Sequence, residues 1–146
     1  MNVNARGTFL MCREVLRIWM RGSQAGVILN TDSSVVRHPE REHFATLGYA
    51  ASKGAVEAMT LSAAAYYAPA GIRINVIAPG LVRTPMSARA QGDPRLLEYM
   101  VGKQSLTRGP LEPDGIAKAA CFLLRKDSSS ITGQVVTVNG GWAVSA

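Results

Sequence analysis

The hydrophobic pattern alternates between two periods along the chain. Phe9, Leu10, Val15, Leu16, Ile18 and Trp19 recur at helical spacing between arginines, which predicts an amphipathic helix over residues 8–20, ended by Gly22-Ser23. Val27-Ile28-Leu29 is a short continuous apolar run, as expected of a strand covered on both faces in a parallel sheet. Residues 31–48 are polar, carry Pro39, and read as a loop long enough to serve a function. The Ala-rich stretch 49–68 has no internal proline and is the clearest helix, stopped by Pro69 and Gly71. A second buried-strand pattern covers 72–78 and closes at Pro79-Gly80. Thr84-Pro85 matches an N-cap followed by proline, opening a partly helical region to about Leu106. A helix is expected over 113–124, a turn over 127–130 and a third strand over 134–138, ending at Asn139-Gly140-Gly141. Strands separated by helices predict an α/β, three-layer fold with right-handed crossovers in one domain spanning 1–146.

Composition narrows the class. With 47% hydrophobic and 18% charged residues, the chain suits a globular protein. No apolar stretch reaches the roughly 18 residues needed to span a bilayer, and no convincing signal peptide opens the chain, so no membrane association and a cytoplasmic location are expected. The net charge of +6 raises nucleic-acid binding, but the basic residues are dispersed, and no such partner is expected. Arg13, Arg17 and Arg21 form a stripe that a solvated helix face explains. Cys12 and Cys121 are isolated and lie in apolar helical segments, so both are expected to be buried free thiols, with no metal site.

The chemistry concentrates at Tyr49-Ala50-Ala51-Ser52-Lys53. Tyr and Lys four residues apart near a helix start share one face. A phenol titrates near 10 in water, so proton exchange near neutrality requires a neighbouring positive charge, which Lys53 would supply. Alone, the pair could be two exposed helix residues. The context argues otherwise: Asn30-Thr31-Asp32-Ser33-Ser34 leaves the first strand toward the tyrosine helix, and Ala78-Pro79-Gly80-Leu81-Val82-Arg83-Thr84 leaves the second strand at the same carboxyl edge of the sheet, where α/β proteins bind ligands.

Together with Asn4-Ala5-Arg6-Gly7-Thr8-Phe9 and the ending Ile131-Thr132-Gly133-Gln134-Val135-Val136-Thr137-Val138-Asn139-Gly140-Gly141, these segments resemble the short-chain dehydrogenase/reductase family over nearly the whole chain. The family ending commonly has Asp where Asn139 stands. The resemblance implies an NAD- or NADP-dependent oxidoreductase interconverting a secondary alcohol and a carbonyl, on 3-oxoacyl, sugar or steroid substrates. It implies that Tyr49 is the general acid/base, that Ser34 holds the substrate oxygen, and that Lys53 holds the nicotinamide ribose and biases Tyr49 toward ionisation. Asn4 would seat a water beside Lys53, or else cap the first helix. Pro79, Gly80, backbone near Val82, and Thr84 would line the nicotinamide side, and Thr84 could equally be a helix cap. Ser33 competes with Ser34, which is preferred for its spacing to Tyr49. Asp32, His38 and His43 are expected to be solvated loop residues.

The matched segments correspond to the C-terminal half of the doubly wound Rossmann-like fold. The Gly-rich strand-turn-helix that receives a pyrophosphate does not occur in these residues. The expectation is therefore a truncated parallel sheet whose 27–30 strand forms an exposed edge, and weak dinucleotide binding by this chain alone. The full-length protein would be a homo-oligomer through helices 8–20 and 49–68. The alternative is a non-catalytic remnant acting as an association module.

Overall fold

The computed structural model describes residues 1–44 and 46–145; Ala45, inside the expected 31–48 loop, and Ala146 lie outside the described residues. A π-helical turn, Asn2–Arg6, runs directly into helix α1, Gly7–Arg21. Strand β1, Gly26–Thr31, is followed by a long loop and helix α2, Leu47–Tyr67. Strand β2, Ile72–Pro79, leads through a 3-10 turn, Pro85–Ser87, to short helix α3, Ala88–Gln91, and helix α4, Pro94–Lys103. Helix α5, Pro113–Leu124, and strand β3, Val135–Val138, complete the fold. Each expected element is present, and α2 starts two residues earlier than its alanine-rich stretch suggests.

The sheet is parallel in the order β1-β2-β3, with Gly26 opposite Ile72 and Val76 opposite Val135. Among the described residues β1 pairs with β2 alone, leaving its other edge unpaired. Side chains alternate across β2 and thereby define the layers. Ile72 and Ile74 pack with Cys12, Leu16 and Ala64 under α1 and α2. Arg73 and Asn75 point to the opposite face, where Arg73 donates to the carbonyls of Leu123, Ile131 and Arg125 at 3.1 Å each, tying down the end of α5. Asn75 accepts from the Gln134 amide at 3.0 Å and donates to the Ile131 carbonyl at 2.9 Å, which sets β3 in register.

Two local features explain the close packing of the first layer. A Cβ on Gly26 would meet the Trp19 ring at 2.5 Å, so only glycine lets that indole lie on the start of β1. Asn30 donates to the Thr60 hydroxyl at 2.8 Å beside Cys12, so the polar groups between α1, β1 and α2 are paired. Cys12 is buried as expected, whereas Cys121 is exposed, a correction that follows from helical geometry. Leu123, 1% exposed, faces the sheet, and a residue two positions earlier lies about 200° around the helix. Arg13, Arg17 and Arg21 are all exposed, and Glu14 pairs with the first two. No described helix is long and apolar enough to cross a membrane.

Candidate active site

The parallel register brings the carboxyl ends of the strands to one crevice. The chain leaving β1 continues along β2 for two more bonds, Asp32 N–H to the Ile77 carbonyl at 2.8 Å and Ser34 N–H to the Pro79 carbonyl at 2.9 Å. Gly80 N–H then donates to the Val138 carbonyl at 3.1 Å. Helix α2 enters beside this edge, so Tyr49 and Lys53, one turn apart, face the end of β1.

The Lys53 ammonium donates to the Thr31 carbonyl at 2.8 Å and lies 5.9 Å from the centre of the Tyr49 ring. Burial pushes the lysine below its usual value, and Asp32 partly restores it. Tyr49 remains 39% exposed, open to the crevice. Its phenol is displaced upward, chiefly by burial, with the Ser33 hydroxyl opposing and the Asp32 charge adding to the rise. The Lys53 ammonium is engaged by the Thr31 carbonyl, and Lys53 is not among the groups that move the phenol in this arrangement.

The two candidate serines are placed differently. Ser34 is 1% exposed and its hydroxyl donates to the Ala78 carbonyl at 3.2 Å, which makes it part of the crevice floor. The half-buried Ser33 is the serine whose hydroxyl bears on the Tyr49 phenol, lowering it against the effect of burial. Ser34 opens a turn in which the Ser33 and Ser34 carbonyls accept from the amides of Val36 and His38 at 3.1 and 2.9 Å. The loop between these serines and Tyr49 is long. It is tied locally: the Glu40 carboxylate accepts the amides of Glu42, His43 and Phe44 at 2.6, 2.6 and 3.1 Å, which holds it ionised below the usual carboxylate range against the opposing effect of burial. Of the loop residues expected to be solvated, His43 is exposed and stacks on Tyr99 at 4.7 Å, but Asp32 is 2% exposed.

Asn4 falls within helical backbone and caps nothing. Its amide donates to the Ser52 hydroxyl at 3.0 Å, which in turn donates to the Tyr49 carbonyl at 2.7 Å. It thus joins the N-terminal turn to the first turn of α2 and supports the tyrosine from behind.

Pro79, Gly80, Val82 and Thr84 lie on the path leaving β2. Arg83 N–H donates to the Leu111 carbonyl and Leu111 N–H to the Leu81 carbonyl, both at 2.8 Å, so Val82 and Leu111 form an isolated parallel bridge. Thr84 is extended and forms a capping box with Ser87, whose hydroxyl accepts from the Thr84 amide at 3.2 Å. Gln104, fully buried and unremarkable in the sequence, clasps this turn. It accepts from the Leu81 amide at 2.5 Å and donates to the carbonyls of Leu81 and Gly109 at 3.1 and 2.8 Å. A Cβ on Gly80 would run into Gln104 and Asn139, so the turn closes only over glycine. Above the crevice, Val35, Leu96, Met100 and Trp142 form a second apolar cluster, with Phe44, Leu81 and Tyr99 packed on it.

Two further residues escaped the sequence reading. Glu57 stands one turn beyond Lys53, and Arg37 grips it through Nε to both carboxylate oxygens at 3.0 Å and through Nη2 at 2.7 Å. The signal was present as Tyr49, Lys53 and Glu57 at four-residue steps, with Asn30 and Asp32 on one side of the strand path.

Comparison with known proteins agrees with this geometry. Residues 1–143 match the family model described as enoyl-(acyl carrier protein) reductase. Glucose 1-dehydrogenase of Gluconobacter oxydans is 40% identical over 141 residues, covering 97% of this chain and 52% of the relative. The structure of a gluconate 5-dehydrogenase from Burkholderia cenocepacia in complex with NADP and tartrate superposes with a TM-score of 0.90 at 30% identity, covering 100% of this chain and 55% of that one. A short-chain type dehydrogenase/reductase from Mycobacterium ulcerans gives a TM-score of 0.86 at 28% identity, covering 99% of this chain and 50% of that one. The chain spans about half the length of these relatives. With a parallel sheet whose carboxyl edge gathers Tyr49, Lys53 and a serine hydroxyl, and with a family match across almost its whole length, the chain belongs to the short-chain dehydrogenase/reductase family.

Proposed function

We propose that this chain forms the catalytic part of an NAD(P)-dependent oxidoreductase that interconverts a secondary alcohol and a carbonyl on a polyhydroxylated small molecule. The observation that carries this reading is the convergence of Tyr49, Lys53 and Ser33 at the carboxyl end of β1. The glucose and gluconate named for its relatives support the substrate class. The donor set suits a nicotinamide riboside: the Thr31 carbonyl takes one of the three ammonium donors of Lys53, the others suit vicinal ribose hydroxyls, and the half-buried Thr84 hydroxyl suits the carboxamide. When bound, the dinucleotide supplies or accepts the hydride.

The residues divide the remaining work. Tyr49 gives its phenolic proton to the carbonyl oxygen in reduction and takes it from the alcohol in oxidation. Ser33 holds that oxygen beside the phenol, and Ser34 keeps the loop on the end of β2. Lys53 holds the ribose and, with an ammonium donor turned toward the phenol, favours the phenolate. Asn4 and Ser52 fix the start of α2. Val35, Leu96, Met100 and Trp142 build the apolar wall that keeps water from the reacting atoms. The test is NAD(P)H formation from a panel of polyols and aldonates, with Tyr49→Phe as control; turnover that survives the substitution unchanged would overturn the assignment. The alternative of an association module draws on the unpaired β1 edge and on Phe9, Met11 and Ile18, which are exposed along α1. Self-association without turnover in the same assay would favour it.

A further inference from the structure

Asp32 is the buried group for which the catalytic assignment has no use. It is 2% exposed, and neither carboxyl oxygen has a hydrogen-bond partner among the described residues. A second carboxyl group, Glu57, one turn beyond Lys53 on α2, lies near enough to couple to it. The titratable and charged groups around it are Tyr49, Lys53 and Glu57 from α2 and Arg37 from the loop. Two carboxylates cannot both be ionised at close range in a buried site unless cations serve both. Here one cation serves one of them, since the Arg37 guanidinium grips both oxygens of Glu57. The Lys53 ammonium, which could serve the other, is bonded instead to the carbonyl of Thr31, the residue before Asp32.

We propose that Asp32 and Glu57 share a single proton, carried on Asp32 and donated toward the Arg37-held Glu57 carboxylate, and that Asp32 thereby acts as a protonation-gated positioning residue for Lys53. With Asp32 neutral, Lys53 rests on the Thr31 carbonyl and turns its remaining donors toward Tyr49 and the crevice. With Asp32 ionised, the ammonium is drawn to the new carboxylate and away from the phenol. The titration directions agree: desolvation, with Glu57 adding to it, lifts Asp32 to about 7, while Arg37 holds Glu57 below the ordinary carboxylate value. The gate therefore operates near neutrality. The proposal rests on Tyr49 and Lys53 being the working pair, but its physical core does not require turnover.

The test is a carbon-13 NMR titration of the Asp and Glu carboxyls in the chain, with the Lys53 side-chain resonance followed in the same samples. Asp32 is expected to titrate near neutrality, with the Lys53 resonance moving at the same midpoint. In Glu57→Gln the Asp32 midpoint should fall by at least about one unit, because one like charge is removed. A folded-state acid displaced upward stabilises the fold fully below its unfolded value of 3.8 and loses that contribution as pH rises through about 7. The urea midpoint of the wild-type chain should therefore fall across that window, with the folding equilibrium changing by up to roughly tenfold per pH unit, and Asp32→Asn should flatten the fall. Titration of Asp32 in the ordinary carboxylate range, or a Lys53 resonance indifferent to it, overturns the proposal. Failure of turnover with these titrations intact would fault the catalytic reading and leave the carboxyl pair standing.

Discussion

The two apolar clusters of this molecule are built in different ways. Cys12, Leu16, Ala64, Ile72 and Ile74 join α1 and α2 to the sheet through side chains set by regular helix and strand periods, and the polar groups beside them are paired. Val35, Leu96, Met100 and Trp142 come from three separate segments around the crevice: the loop after β1, helix α4 and the C-terminal turn. Among the described residues, buried polar atoms without partners are both oxygens of Asp32, the Asn139 amide nitrogen and, in this cluster, the Trp142 indole nitrogen. Buried polar groups left unpaired cost stability, and they gather where a site must meet a ligand or move a proton. The first cluster serves folding, and the second gives up some stability to shape a reactive edge.

The largest effect should come from the edge. Tyr49→Phe removes one hydroxyl and should lower turnover by roughly 10²–10⁴-fold with the unfolding midpoint unchanged, as read by NAD(P)H absorbance and urea titration. Truncation of either cluster should be the next largest effect. Ile74→Ala and Met100→Ala should each cost about 2–5 kcal/mol of stability, since both side chains are fully buried. The comparison sharpens in their kinetics: Ile74→Ala should leave KM of the folded fraction alone, whereas Met100→Ala, in the wall of the crevice, should raise it. Equal KM effects would dissolve the distinction between the clusters.

The smallest effects separate the two serines. Ser34→Ala should cost about 1 kcal/mol of stability through the lost bond to the Ala78 carbonyl, with little change in turnover per folded molecule. Ser33→Ala should leave stability within about 0.5 kcal/mol and lower kcat. The opposite pattern would restore Ser34 as the partner of Tyr49.

These contrasts mark how far the sequence could be read. The 3.6-residue and two-residue periods locate α1, α2, α5 and the three strands, because such patterns depend only on which face of an element is buried. Tyr49 and Lys53 were legible because helical geometry places residues four apart on one face whatever surrounds them. The same rule reaches Glu57, but nothing local says that Arg37, twenty positions away along the chain, will grip it.

What the sequence by itself determined is therefore the α/β alternation, the parallel sheet, and the presence of a tyrosine and lysine at its carboxyl edge. Only the tertiary structure decided that Ser34 bonds back to the Ala78 carbonyl, that Asn4 braces Ser52, that Gln104 locks the turn before Thr84, and that Asp32 is buried. The physical reason is range. Periodicity and capping act within a turn or two of the backbone, whereas a hydroxyl's partner and a carboxyl's charge are set by groups that the fold brings together from distant parts of the chain.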